Sequence, residues 1–249
     1  MTETFPWKVV WITGASTGIG REAALQLAAA GVQVAVSARS AQKLEGMGEG
    51  IFAHPLDVTD VAAVKATVNS IESNLGPIDL AIFGAGTYTP VTIDNIDPAV
   101  FSHMVSTNYM GVVNCIAALT PLMLARKRGH LSWIASVAGY VGLPKAAAYG
   151  PTKAALINLA ECLRPELARA GITTSVINPG FVATPMTAQN DFEMPFLMKP
   201  EDAARRTLEG LKAGRFEIAY PRRFAAILKF ARLLPYPLFF KLIDKAVLK

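Results

Sequence analysis

The chain is poor in cysteine and poor in charge. It has two cysteines, Cys115 and Cys162, and they share neither metal-type nor C-x-x-C spacing. That excludes a disulfide framework and a cysteine-based metal site; the two read as reduced core thiols of a cytoplasmic protein. No metal is expected. Charged residues make up only 17% of the chain, against 52% hydrophobic. A disordered, highly solvated chain is thereby excluded, and a large buried core becomes possible. A leader is not expected either. The apolar run after Lys8 breaks at Gly14, too short for the hydrophobic part of a signal. Met104 to Ala125 carries no charge, but Ser106, Thr107, Asn108, Asn114, Thr120 and Pro121 interrupt it. It predicts a buried or interface helix and not a membrane span.

The charge that is present is uneven. Residues 222–249 hold seven Lys and Arg against one acid, Asp244, so this tail carries more than the whole net charge of +5. The body is close to neutral, which argues against a nucleic-acid-binding body. The chain therefore divides into residues 1–221 and a basic tail, 222–249. Phe224, Ile227, Leu228 and Ala231 fall on one helical face of the tail, with Leu234 one turn beyond. Arg222, Arg223, Lys229 and Arg232 accompany them around the polar side. Pro235 and Pro237 interrupt, then Leu238, Phe239, Leu242, Ile243 and Ala246 resume. Such a segment can lie in an anionic membrane interface. It can equally pack on the body or on a partner subunit as a pocket cover, and the sequence leaves both open.

Short β-branched runs alternate with helical patterns along residues 1–221. Strands are predicted at 8–13, 32–38, 51–56, 78–84, 130–136, 172–178 and 216–219. Helices are predicted at 20–30, 60–75 (with Asp60 or Thr59 as cap), about 98–126, 149–171 and 200–213. Pro165 inside the fourth helix predicts a kink or an early end. Strand–helix alternation of this kind makes a parallel sheet covered by helices on both faces, a doubly wound α/β domain.

Two stretches carry chemistry. Thr13-Gly14-Ala15-Ser16-Thr17-Gly18-Ile19-Gly20 joins a buried strand to a helix. Glycine there lets backbone approach a pyrophosphate, and the helix start supplies free N–H groups. Tyr149 and Lys153 lie four apart, which stacks them on one helical face about 5.4 Å apart. An ammonium beside a phenol favours the phenolate and lowers its pKa. Taken alone, that pair is as readily a packing edge beside a solvated lysine.

The T-G-x-x-x-G-x-G spacing resembles the short-chain dehydrogenase/reductase family, in its branch of roughly 250 residues. The likeness runs from about Lys8 to Tyr220, and further motifs fall in order. Asp57-Val58 matches the adenine-contacting Asp. Gly84-Ala85-Gly86 matches an Asn-Ala-Gly after strand four, with Gly84 where the family usually has Asn. Asn108, in Asn-x-x-Gly, matches the helix asparagine of the family's proton relay. Ser136, Tyr149 and Lys153 match the catalytic serine and Y-x-x-x-K. Pro179-Gly180 and Thr184 match the P-G-x-x-x-T that contacts the nicotinamide end. The resemblance implies a Rossmann-type sheet of about seven strands in the order 3-2-1-4-5-6-7. It implies catalysis by Asn108, Ser136, Tyr149 and Lys153. It implies a cofactor held by Thr13, Gly14, Ser16, Thr17, Gly18, Ile19, Gly20, Arg39, Asp57, Val58, Gly84, Ala85, Gly86, Asn108, Tyr149, Lys153, Pro179, Gly180, Val182 and Thr184. A homodimer or homotetramer pairing the two longest helices across a two-fold is implied as well.

The chemistry of these residues agrees. Hydride transfer to a carbonyl leaves an alkoxide that needs a proton, and Tyr149 can donate it or, as phenolate, accept it in reverse. Ser136 can hydrogen-bond the reacting oxygen. Lys153 tunes the tyrosine and, by the resemblance, holds ribose hydroxyls. In NAD-selective relatives an acid ends the second strand; here the run is Ser37-Ala38-Arg39-Ser40. A guanidinium fork suits a 2′-phosphate, so NADP(H) is expected over NAD(H). Met186, Phe192, Met194 and Phe196 on the 184–199 segment, with Val141, Leu143 and Pro144, suggest a lid over an apolar pocket. The expected substrate is a small hydrophobic alcohol or ketone. The rival reading is a nicotinamide-binding regulatory or scaffold protein without turnover, which loss of Tyr149 or Lys153 would have favoured.

Overall fold

The computed structural model describes residues 4–247, with side-chain surroundings through Ile243. Ala246, counted above with the apolar face of the tail, and Lys245 and Lys249 lie outside the residues so described. Seven parallel strands form one sheet in the order β3-β2-β1-β4-β5-β6-β7. They are β1 Val9–Thr13, β2 Gln33–Ser37, β3 Ile51–Ala53, β4 Leu80–Phe83, β5 Gly129–Ile134, β6 Ile172–Pro179 and β7 Glu217–Tyr220. The helices are α1 Gly18–Ala29, α2 Val61–Asn74, α3 Pro98–Met104, α4 Gly111–Arg126, α5 Tyr149–Arg169, α6 Pro200–Lys212, α7 Arg222–Ala231 and α8 Tyr236–Val247.

Strand β1 shows why the chain folds this way. All five of its residues are buried, because helices cover both faces of a parallel sheet. Alternation still sorts them. Val9 and Trp11 enter a core with residues of α2, α4 and α5, while Val10 and Ile12 face residues of α1 and α6. The buried indoles keep their donors satisfied: Trp11 Nε1 donates to Ser37 Oγ at 3.0 Å and Trp133 Nε1 to the Leu156 carbonyl at 2.8 Å. Asp60 caps α2 through the Ala63 N–H at 2.9 Å.

Two helices depart from the expectation. The helix expected over 98–126 contains a π turn, Val105–Met110, between α3 and α4. A π turn widens the backbone ring by one residue and commonly marks a functional position; Asn108 lies in it. The continuous stretch Pro98–Arg126 is long and apolar enough to cross a membrane by length and composition. Val112, Cys115, Leu119 and Met123 of α4 nevertheless pack into the sheet's own core. Helix α5 does not stop at Pro165 but runs on to Arg169. Pro165 is exposed, so the carbonyl that it deprives of a partner faces water at little cost.

Register fixes the site. Thr13 pairs with both Ser37 and Phe83, and Phe83 with Trp133. The residues just past β1, β2, β4 and β5 therefore share one edge of the sheet. The strand order reverses there, between β1 and β4, where open α/β sheets make their ligand crevice.

Candidate functional site

The glycine turn after β1 closes on its neighbours at backbone distance. Gly14 has φ +72°, and a Cβ built there would lie 2.4 Å from the Gly84 carbonyl oxygen. Only glycine combines that left-handed backbone with that approach. A Cβ at Gly18 (φ +59°) would meet Thr184 Cγ2 at 2.8 Å. Thr17, at the start of α1, makes no side-chain cap, and the first turn carries no acid. The first N–H groups of α1 thus have no side-chain acceptor of their own.

Two cavities meet across this turn and share Gly14, Ser16 and Gly86. The first, of about 290 Å³, is lined by Ala38, Arg39, Ser40, Lys43, Asp57, Val58, Ala85 and Thr107 among others. Asp57 is ordered by its own turn: Oδ1 accepts from the Thr59 N–H at 2.9 Å and from its hydroxyl at 2.7 Å. Those bonds, with a smaller contribution from Arg39, hold its carboxyl below the usual range. The second cavity, of about 200 Å³, is lined by Thr17, Gly18, Ile19, Gly20, Gly84, Ser136, Tyr149, Lys153, Pro179, Gly180, Val182 and Thr184, with Ile134, Ala135, Met186 and Thr187.

Of the residues named from sequence, Thr13 and Asn108 line neither cavity. Thr13 is a backbone fastener: its Oγ1 accepts from the Gly84 and Ala85 N–H groups at 3.1 and 3.3 Å. This hydroxyl anchors the β4 turn, where Gly84 has no side chain of its own to do so. Asn108 is fully buried. Its Oδ1 accepts from the Thr87 N–H at 2.7 Å, and its Nδ2 donates to the Thr87 carbonyl at 2.9 Å and to Thr152 Oγ1 at 3.3 Å. Gly86 stands directly in front, where a Cβ would come 3.2 Å from Asn108 Oδ1.

Space at Gly84 is filled from β5. A Cβ there would lie 2.9 Å from Ile134 Cδ1 and 3.0 Å from the Thr13 carbonyl oxygen. Gly84→Asn therefore overpacks the turn and is expected to destabilise by about 1–3 kcal/mol. Urea denaturation checks this. Adding Ile134→Ala to the same chain should recover much of the loss, whereas strictly additive destabilisation would break the pairing.

Tyr149 and Lys153 begin α5 and point along one face. The Lys153 ammonium lies 5.4 Å from the Tyr149 ring centroid. It is 5% exposed and donates to the Ile134 carbonyl at 2.8 Å. No carboxylate pairs with it among the described residues. Burial pushes its pKa down to about 8. Burial likewise pushes Tyr149 up to about 12, and a hydrogen bond with Ser136 only partly offsets this. The expected lowering of the phenol by its neighbour is therefore corrected for the protein alone. Desolvation of the ring outweighs an ammonium whose bond is made to a carbonyl. Ser136 Oγ accepts from the Ala138 N–H at 3.1 Å and donates to the Pro179 carbonyl at 3.3 Å.

Sequence reading missed two further groups. Lys43 lines the first cavity with Arg39, on a 3₁₀ turn, Ala41–Lys43, just after β2. A second cation four residues from Arg39 was the available signal. Tyr88 packs edge-on against Tyr149 with centroids 5.2 Å apart, and nothing in the local pattern announced it.

Several known proteins are similar to this chain. A Myxococcus xanthus protein described as an uncharacterized oxidoreductase is 35% identical over 94% of this chain and 95% of its own. A Staphylococcus aureus 3-oxoacyl-[acyl-carrier-protein] reductase is 38% identical over 72% of this chain and 76% of its own. An actinorhodin polyketide ketoreductase variant crystallised with NADPH superposes with a TM-score of 0.78 at 26% identity, over 86% of this chain and 95% of its own. The short chain dehydrogenase family model matches residues 8–194, which hold the glycine turn, Ser136 and the Tyr149–Lys153 pair. This chain belongs to the short-chain dehydrogenase family, and it is an oxidoreductase of the CH–OH/carbonyl class.

Proposed function

We propose that the protein transfers a hydride between NADP(H) and a hydrophobic alcohol or ketone, with Tyr149 as the general acid and base. The observation that carries this reading is Lys153. A buried ammonium with one acceptor and no carboxylate partner among the described residues, lying across the Tyr149 ring, has donors to spare at the edge of a cavity. The residues around it fit a nicotinamide dinucleotide. Gly14 and Gly86 line both cavities and Gly18 the second, none with a side chain of its own to intrude, and the uncapped start of α1 suits a pyrophosphate. Bound there, the nicotinamide supplies or accepts the hydride. Lys153 holds ribose hydroxyls, and Asp57 and Val58 flank the adenine end.

Tyr149 donates its phenolic proton to the substrate oxygen in reduction. Ser136 steadies that oxygen, turning its hydroxyl from the 3.3 Å bond to the Pro179 carbonyl. Asn108 supports the same face from behind, holding the Gly86–Thr87 loop and Thr152 of α5. Val182, Ile134 and Met186 give the second cavity an apolar wall, which favours an apolar carbonyl substrate. The carbonyl-reducing relatives above support the substrate class. The family's habit of pairing its long helices supports a homodimer or homotetramer.

The cofactor preference rests on the first cavity. It holds two cations, Arg39 and Lys43, and no carboxylate at the end of β2. Each charge-assisted bond to a 2′-phosphate is worth about 1.5–3 kcal/mol. Arg39→Ala and Lys43→Ala should therefore each raise KM for NADPH by about tenfold or more, and leave KM for NADH nearly unchanged. Cofactor oxidation against ketones and aldehydes graded by chain length and ring size tests the whole reading. Equal use of NADH and NADPH by the unaltered protein would overturn the preference, and inactivity toward the entire panel would overturn the substrate class.

A further inference from the structure

The tail folds as two helices, and only its inner side is used by the body. Ala225, Leu228 and Ala231 of α7 and Phe239 and Ile243 of α8 pack against Val137 and Val141, on the loop that follows Ser136. The sequence pattern puts Ile227 on one apolar face with Leu228 and Ala231. The helix is turned so that Ile227 is 52% exposed, and Phe230, three residues on, is 66% exposed. Leu233 in the connection is 79% exposed, and Tyr236 and Phe240 on α8 are 69% and 55% exposed. Of the large apolar side chains exposed among the described residues, seven of sixteen fall within residues 227–242. That density in one short segment marks an interaction surface.

We propose that the outer face of α7–α8 docks the protein on an anionic lipid surface. Charge selects this occupant. Residues 218–243 contain no Asp or Glu, while Arg222, Arg223, Lys229, Arg232 and Lys241 lie in the same stretch. Lys229 is spoken for by Glu217; the other four have no carboxylate partner among the described residues. Exposed aromatics interleaved with unpaired cations suit a headgroup layer, where rings insert and cations meet anionic lipid. A second copy of the chain suits it poorly, because a two-fold contact through this face would set its cations against themselves.

The docking face is tied to the site. Phe224 stacks on Phe181 at 5.7 Å, one residue beyond Gly180, and lies 6.0 Å from Phe196. Phe196 and Leu197, on the 184–199 segment, are themselves about half exposed, so the apolar surface continues from α7 onto the expected lid. Glu217 clamps the arrangement: it accepts from Tyr140 at 2.6 Å and from Asn178 Nδ2 at 3.0 Å and pairs with Lys229. A lipid surface under α7–α8 would therefore lie beside the mouth of the second cavity, where a membrane-partitioned ketone would arrive. That consequence rests on the reading of Tyr149 given above; the docking does not.

Co-sedimentation of the full chain with vesicles tests the docking without any turnover. Binding is expected to mixed phosphatidylcholine–phosphatidylserine vesicles, to weaken with salt, and to be slight with phosphatidylcholine alone. Arg223→Gln and Arg232→Gln should each weaken it about fivefold. Phe230→Ser combined with Leu233→Ser should abolish it, while oxidation of NADPH by a water-soluble ketone continues in every variant. A chain that sediments but reduces no ketone supports the docking and removes the catalytic reading instead. Absence of binding to the mixed vesicles, or binding untouched by these substitutions, would overturn the proposal. So would a dimer, measured by light scattering, that Phe230→Ser with Leu233→Ser dissolves in a chain that binds no vesicles.

Discussion

Tyr149→Phe is expected to lose turnover by about 10²–10⁴-fold, the usual worth of a positioned proton donor, while NADPH binds as before. The substitution is clean because the ring stays. It keeps the edge-on contact with Tyr88 and the place beneath the Lys153 ammonium; only the hydroxyl that faces Ser136 goes. Calorimetric titration of NADPH separates binding from chemistry, and stopped-flow reduction reports the chemistry. Turnover within tenfold of the unaltered enzyme would sink Tyr149 as the acid. The pH profile gives a second reading. With the phenol at about 12, it is protonated throughout neutral pH, so its donation in reduction should be flat there. Oxidation needs the phenolate, whose fraction rises roughly tenfold per pH unit below the pKa. Alcohol oxidation should climb with pH while ketone reduction does not.

What could be read from the sequence was what is written locally. The glycine turn is legible because Gly14, Gly18 and Gly20 meet a requirement of the backbone, and because a buried strand and a helix flank them. The seven-strand order follows from alternation of strands and helices together with the family likeness. Lys43 was missed because its reach into the cavity depends on the direction in which the chain leaves β2. Tyr88 was missed because only the folding of the β4 loop over α5 brings its ring to Tyr149, 61 positions later in the chain. The π turn at Asn108 leaves the hydrophobic pattern of a long helix intact, so periodicity cannot report it. In the tail, apolar periodicity predicted a helix but not its rotation. The body chose Ala225, Leu228 and Ala231 and left Ile227 and Phe230 outside. The pKa of Tyr149 is the sharpest case. Sequence supplies the neighbour that lowers it, and only burial, a property of the fold, supplies the larger opposing effect.

Lys153→Met should remove activity, by at least about a hundredfold, and yet stabilise the protein at neutral pH. The Lys153 pKa falls from 10.5 to about 8 on burial, and each pH unit is worth about 1.4 kcal/mol. Carrying the charged form into the fold therefore costs about 3 kcal/mol. The folded value lies below the unfolded one, so above the unfolded pKa both states are neutral and nothing is lost. Between 10.5 and about 8 the unfolded chain binds the proton first, and stability falls as pH falls; below about 8 the loss is complete. Methionine fills similar space without the charge. It leaves the Ile134 carbonyl without the donor now at 2.8 Å, a loss of about 1 kcal/mol. Urea unfolding near pH 7 should then find the variant about 2 kcal/mol more stable, with the advantage shrinking through the 8–10.5 window and reversing above it. A variant less stable than the parent at neutral pH would mean that the buried ammonium strengthens the fold. Lys153 would then be a structural residue and not one held in place, against the fold's own stability, for the ligand it faces.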